Sequence, residues 1–309
     1  MNPNLKKISH SIAAILFLSL PFSPIAMSAN EATPDTPTSV PGIITKHSAM
    51  IKSRMLAEKE QRIVKEADDV VMETQKALWA VENNDTKKTL SLLQDVSGKL
   101  DAILKKHPNV ALVSADVDTD IIEFEGDAAA VKKAIDEADD LLDDGKLQEA
   151  RQIIAQLQSE MRMTTTSIPL NSFPKAIKEA EVYLGTGKNN EAASAIYDVL
   201  NTLVKTTEIT PLPVLYAEIL LTEAADVEHK KDLSQEQSRA DVLKLADAAK
   251  DQLKLAQVLG YGDKNDYKTL YTAIDEMYET IHSEKSAAMW ATIKQHLGAL
   301  KEKLTHLKK

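Results

Sequence analysis

One stretch of this chain occurs twice, and the repetition limits the folds open to it. The segment "TTTSIPLNSFPKAIKEA" at residues 164–180 returns in altered form as "TTEITPLPVLYAEILLTEA" at residues 206–224. Pro169 and Pro211 are 42 residues apart, and the glycines of "DDGKLQEA" and "GTGKNNEA" keep the same separation. A fixed period of this length is typical of proteins that stack helical hairpins side by side.

Each repeated unit has the residue pattern of a helical hairpin. Asn84 precedes Pro108 by 24 residues, and Gly145 and Gly187 precede their prolines by the same distance. Asn or Gly suits the left-handed end of a helix, and the proline is expected to end the unit because it cannot continue an α-helix. Apolar residues stand 9, 12 and 16 positions after each turn residue, as expected for one helix face: Leu93, Val96, Leu100; Ile154, Leu157, Met161; Ile196, Val199, Leu203.

These units predict a mainly α fold, a helical bundle of stacked helical hairpins with an internal duplication of period 42. In each unit a helix, a turn, a second helix and a Thr-rich extended link follow one another. The stretch "GKLQEA" resembles half of a tetratricopeptide repeat, but that family has a period of about 34 residues and an aromatic pattern that is missing here. A compact bundle is therefore favoured over a solenoid.

The first two units are separated by extra sequence that predicts a small β element. Their turn residues are 61 positions apart, and part of the surplus is "VALVSADVDTDIIEFEGD" at residues 110–127. Apolar and acidic residues alternate in it, as in a strand with one solvated face. We expect a hairpin or an edge strand near residues 110–125, followed by helices near 128–142, 235–259 and 266–281.

The ends of the chain complete a division into four parts. Lys6 and Lys7, an apolar run at residues 12–20 and small residues up to Ala29 have the order of a secretory signal, so we predict a signal peptide at residues 1–29. Cleavage after Ser28 competes closely with cleavage after Ala29. Residues 30–48 are rich in Pro and Thr and predict a disordered spacer.

Residues 49–285 form the predicted helical domain, and residues 286–309 a C-terminal helix with coiled-coil spacing. This tail can pack on the body or self-associate, and we favour packing. Its apolar positions are Trp290, Ile293, Leu297, Leu300, Leu304 and Leu307.

Export predicts a periplasmic protein with no membrane span after signal cleavage, because the apolar run is shorter than the roughly 20 residues that a spanning helix needs. The chain has no cysteine, so a buried core must stabilise it without disulfides. The formal charge is −10, and loss of the two signal lysines makes it −12. A chain this acidic repels phosphate backbones, so we expect no nucleic-acid partner.

Motifs for metal or phosphate binding are incomplete. Asp116, Asp118, Asp120 and Asp127 resemble a calcium loop, but Ile121 stands where that loop needs glycine, and the last ligand is not glutamate. "GTGK" at residues 185–188 lacks the spacer and the Ser or Thr of a phosphate loop, which predicts a helix-end turn. A run of acids could bind cations loosely, although such a run is usually a solvated helix face: Asp136, Glu137, Asp139, Asp140, Asp143 and Asp144.

Motifs for catalysis are missing as well. The seven histidines have no paired spacing, and His107 is explained as a helix C-terminal residue. No zinc motif occurs, and among 47 acidic residues no two stand out as an acid–base pair. We therefore expect no enzyme activity, no catalytic residue, no cofactor and no metal, and the ligand-binding residues stay unknown.

Four stretches resemble the YfdX protein family: "NNDTKKTLSLLQDVSGKLDAIL", "TTTSIPLNSFPKAI", "NTLVKTTEITPLPVLYAEILL" and "DQLKLAQVLGYGDKNDYKTLY". The resemblance covers roughly residues 57–281 and leaves out the tail. It implies an exported, mainly α-helical bacterial protein, associated with acid or antimicrobial stress and without an established enzyme activity. No catalytic residues come with it.

Two functions fit these observations. The first is a periplasmic interaction or chaperone-like protein, with a protein partner and self-association both open. The alternative is a periplasmic small-molecule binder with a pocket lined by Tyr183, Tyr197 and Tyr216. A hydrolase that uses carboxylates is the weakest hypothesis. The acidic runs predict that the fold tolerates a pH of roughly 4 to 5 and that association or apolar exposure changes there, because self-repulsion decreases as carboxylates take up protons; that the acids serve only solubility is about equally plausible.

Overall fold

The computed structural model describes residues 39–281 and 286–305. By its internal contacts the chain divides after Pro37, and the predicted signal peptide lies outside the described residues. The described part has eleven helices and three strands in the order α1 Val40–Glu60, α2 Lys65–Glu82, α3 Thr86–Lys106, β1 Leu112–Ile122, α4 Ala128–Asp143, α5 Leu147–Gln156, β2 Glu160–Pro169, α6 Phe173–Gly185, α7 Asn189–Asn201, β3 Val204–Pro211, α8 Leu212–Lys230, α9 Glu236–Val258, α10 Lys264–Thr280 and α11 Ser286–Thr305.

The mainly α fold and its hairpin turns are confirmed. Asn84, Gly145 and Gly187 have φ values of 59°, 75° and 74°, the left-handed conformation predicted for the three turns. They join α2 to α3, α4 to α5 and α6 to α7. Of the described helices, none is both long enough and apolar enough to cross a membrane.

The duplicated Thr-rich segments are neighbouring strands of one sheet. The strand order is β1-β2-β3 and both pairings are antiparallel. Thr164 lies opposite Thr207, and their hydroxyl oxygens are 2.9 Å apart. β1 confirms the predicted β element near 110–125, and it pairs with the link of the next unit.

Two details of the predicted unit are wrong. Pro169 and Pro211 end strands β2 and β3 and do not end helices, because the links between hairpins are strands that pair with one another. The second unit also departs from the helical stripe. Helix α5 ends at Gln156, so Leu157 caps it and Met161 is buried in β2.

Four helices of the first and third hairpins surround one apolar cluster. α2 packs on α7 and α3 on α6. The predicted stripe residues Leu93, Val96 and Leu100 are fully buried there, together with Ile196. A second cluster is formed by α8 to α11 with α1 against it, and its fully buried residues include Tyr267 and Leu270.

The two ends of the described chain belong to the second cluster. α11 places Trp290, Ile293, Leu297, Leu300 and Leu304 in it, so the heptad stripe packs on the body as favoured above. Leu307 lies outside the described residues.

The start of the helical region differs from the prediction. Residues 40–48, assigned to the spacer, are helical because Ser39 accepts a hydrogen bond from the Gly42 N–H and Pro41 stands in the first turn, where proline is favourable. Ile43 of this turn is buried.

Candidate interaction groove

The side chain of Trp79 is 60% exposed, although tryptophan is usually well buried in folded proteins. It lies near the C-terminal end of α2, outside the buried stripe of that helix. The side chain lines a surface groove of about 490 Å³ between α2 and α3. We call this site the Trp79 groove, and its lining residues are Met72, Gln75, Lys76, Trp79, Lys88 and Leu92.

The Trp79 groove combines apolar surface with positive charge. The Lys88 Nζ lies 5.6 Å from the Trp79 ring centroid, a cation–π distance. Lys76 supplies a second cation, and Met72 adds a flexible thioether that adapts to irregular surfaces. The two lysines make this groove locally positive on a chain whose formal charge is −10. An apolar group beside a carboxylate matches it chemically.

The three tyrosines predicted to line one pocket do not lie together. Tyr216 is buried in the second cluster, where its hydroxyl donates to Glu123 Oε1 at 2.7 Å and accepts from Lys52 Nζ at 3.3 Å. Burial and the Glu123 carboxylate raise the pKa of Tyr216. Tyr183 packs at the edge of the first cluster, and Tyr197 is 58% exposed on α7. The prediction that these three tyrosines line one pocket is therefore wrong.

Residues 70–209 match the family model described as YfdX protein. A solved structure of YfdX from Salmonella Typhi is also a match, with 15% identity, a TM-score of 0.35, and coverage of 48% of this chain and 93% of that chain. None of the curated proteins matches. Residues 70–209 are a YfdX family region. The resemblance stated from the sequence is confirmed over this range.

The YfdX region contains the Trp79 groove, the three hairpins from Val70 onward and most of the sheet. It is shorter than the resemblance over residues 57–281, because helices α8 to α10 lie beyond the matched range. The groove is thus a feature of the part that carries the family pattern, and the second cluster is formed mainly by helices outside it.

The acidic residues of the incomplete calcium-loop motif are exposed. Asp116, Asp118 and Asp120 alternate on the solvated side of β1. Asp127 caps α4, since its Oδ1 accepts hydrogen bonds from the N–H groups of Ala129 and Ala130 at 3.0 and 2.8 Å. In the part of the chain that the structure describes, no group of three or more His, Asp and Glu residues could hold a metal ion.

One buried carboxylate joins the YfdX region to the second cluster. Glu160 of β2 is 4% exposed, forms an ion pair with Arg162 and accepts a hydrogen bond from the Tyr261 hydroxyl at 2.7 Å. The same hydroxyl accepts from the Ser159 N–H at 2.9 Å. Burial and Glu160 raise the pKa of Tyr261, so its proton stays in place. These contacts fix the turn after α9 against β2.

Sequence reasoning did not single out Trp79. A usable signal was present, because the apolar stripe Val64, Ala67, Val71, Leu78 and Val81 leaves this tryptophan off the core face.

Proposed function

We propose that this protein is a non-enzymatic binding protein, exported to the periplasm, that holds apolar, acidic polypeptide segments in the Trp79 groove. The observation that carries the proposal is the exposed Trp79 ring beside Lys88, in a groove that Lys76 also lines. Aromatic residues with two stiff χ angles provide much contact area for little conformational entropy, and for this reason they dominate protein-binding sites. The lysines would favour acidic segments and disfavour basic ones.

A polypeptide suits the Trp79 groove better than a small molecule does. Small-molecule sites usually enclose most of their ligand. Here the aromatic side chain keeps 60% of its surface exposed before anything binds, so a small ligand would stay largely in water. A small-molecule binder is kept as the second candidate because the groove volume of about 490 Å³ falls within the usual range for ligand sites.

A role in acid or antimicrobial stress is part of the same proposal and is supported by the family resemblance. Stress exposes apolar segments of other exported proteins, and a groove for such segments would limit their aggregation. Export itself is supported by the signal pattern at residues 1–29. Mass spectrometry of the protein from a periplasmic extract tests the export, and we expect a mature N-terminus at Asn30 or Ala29.

The binding proposal is tested with carboxymethylated α-lactalbumin, a permanently unfolded acidic polypeptide, labelled for fluorescence anisotropy. We expect the wild type to bind it and Trp79→Ala to weaken binding by about tenfold or more. Tyr197→Ala is the matched control, since Tyr197 is an equally exposed aromatic residue on a different helix. Its affinity should equal that of the wild type.

Two further measurements test the role of charge in the groove and the class of ligand that it binds. Lys88→Glu should weaken binding of the acidic polypeptide while leaving the circular dichroism spectrum unchanged. An anionic naphthalene dye serves as the small-molecule probe. Trp79-dependent binding of the dye without binding of the polypeptide would support the second candidate. Polypeptide binding that is equal in Trp79→Ala and Tyr197→Ala would overturn the proposed site.

A further inference from the structure

The middle hairpin, α4–α5, exposes large apolar side chains along one stripe of each helix. The two residues on each helix are seven positions apart, and the Gly145 turn separates the pair on α4 from the pair on α5. We call this set the hairpin face: Ile135 at 37% exposure, Leu142 at 41%, Leu147 at 63% and Ile154 at 50%. The buried residues of the hairpin are smaller, namely Val131, Ala138 and Ala150, and α4 also contacts α9.

The equivalent positions of the other two hairpins are buried. A shift of 42 residues takes Ile135, Leu142 and Ile154 of the hairpin face to positions in α6–α7, and a shift of 61 takes them to positions in α2–α3. Those positions are Ile177, Leu184 and Ile196 in the third hairpin and Thr74, Val81 and Leu93 in the first, all of them buried. The repeat therefore specifies a packing face, and α4–α5 carries that face without a cover among the described residues.

The first and third hairpins show what covers such a face. α2 packs on α7 and α3 packs on α6, so each hairpin's first helix meets the other's second helix. This exchange is what an approximate two-fold axis between the hairpins produces. Thr86 and Asn189 occupy equivalent positions, and they contact each other directly through an Asn189 Nδ2 to Thr86 Oγ1 hydrogen bond of 3.0 Å. Leu147 is the corresponding residue of α4–α5.

We propose that the hairpin face is a homotypic interface, on which the α4–α5 hairpin of a second copy of this chain packs as α6–α7 packs on α2–α3. The symmetry of the internal pair is the symmetry that two identical hairpins would adopt. Leu147 of one copy lies against Leu147 of the other, on the two-fold axis. The four-helix cluster formed within the chain is thus built a second time between two chains.

Charge complementarity favours the same occupant. Because the first helix of each hairpin meets the second helix of the other, α5 of one copy lies along α4 of the second copy. α4 ends in the acids Asp139, Asp140 and Asp143, while α5 carries Arg151 on the helix face next to Ile154. Among the described residues Arg151 has no ion-pair partner. Each arginine is brought to the acidic end of α4 in the second copy, twice per dimer.

Sedimentation velocity of the full mature chain over a concentration series tests the proposal. The wild type should show a reversible monomer–dimer equilibrium. Leu147→Glu should raise the dimer Kd by about tenfold or more, because two buried carboxylates would meet at the axis. Arg151→Glu should raise it as well. The matched control is Val182→Glu, a residue that is 64% exposed on α6 and lies off the packing face, and it should leave Kd unchanged.

Each outcome decides the question. Circular dichroism establishes that Leu147→Glu is folded, and Leu142→Lys is the second variant if it is not. A wild type that stays monomeric up to its solubility limit overturns the proposal. A dimer that survives Leu147→Glu and Leu142→Lys unchanged overturns it too, because another face would then be responsible. The proposal stands apart from the Trp79 groove, since Trp79→Ala should not alter Kd.

Discussion

Replacement of Leu297 by Ala tests the place of α11 in the structure. Leu297 is 4% exposed and belongs to the cluster formed by α8 to α11. Removing a buried leucine side chain costs the lost transfer energy and leaves a cavity, together about 2–5 kcal/mol. A domain is stable by only about 5–15 kcal/mol, so the change should be large. Gln295→Ala, on the exposed side of the same helix, should cost less than about 0.5 kcal/mol.

The chain offers a selective probe for this measurement. It has two tryptophans, Trp79 on the surface and Trp290 in the same cluster as Leu297. In a Trp79→Phe background, fluorescence reports the unfolding of the second cluster alone. With a urea slope of about 2–3 kcal/mol/M, Leu297→Ala should lower the urea midpoint by about 1–2 M.

The placement of α11 in the second cluster would be refuted if Leu297→Ala shifted the urea midpoint no more than Gln295→Ala does, within experimental error. The heptad stripe would then face solvent or a second chain, which is the self-association alternative that the sequence left open. Deletion of all residues after Lys285 tests the same placement with a larger perturbation. It removes five buried side chains from the cluster, so cooperative unfolding of α8 to α10 should be lost.

Two further predictions concern glycine replacements and one ion pair. Gly187→Ala should destabilise by about 1 kcal/mol because the residue has φ +74°, whereas Gly98→Ala, in the middle of α3 with open space around it, should stabilise by about 0.5–1 kcal/mol in thermal unfolding. A hydrogen bond from Lys303 lowers the pKa of Asp266. The ionised carboxylate therefore stabilises the fold at neutral pH, and this stabilisation is lost as pH falls through the lowered pKa. The difference in unfolding free energy between wild type and Asp266→Asn, measured by urea titration, should shrink below about pH 4.

Local features of the fold could be predicted from the sequence because short-range rules decide them. The left-handed residues Asn84, Gly145 and Gly187 mark the hairpin turns, and the apolar stripes beside them give the helices. The start of α1 was missed because a short capped turn at Ser39 outweighs the Pro and Thr content of the segment around it.

Long-range pairing could not be predicted in the same way. The segments around Thr164 and Thr207 look like links when each is considered alone, and they become strands only because each pairs with the other. The same holds for the hairpins. All three carry one apolar pattern, yet only the packing of α2–α3 on α6–α7 decides which of them keeps an exposed face, and sequence period alone does not specify that choice.

Hydrogen–deuterium exchange of the dilute wild type tests most directly whether the hairpin face of α4–α5 is left uncovered within the chain. Opening free energies follow local burial, so amides of α4–α5 should exchange much faster than those of α2–α3 and α6–α7, whose equivalent positions are buried. Raising the protein concentration should then slow exchange in α4–α5 selectively. Equal protection of all three hairpins at the lowest concentration would contradict the account, because the hairpin face would then be covered within the single chain.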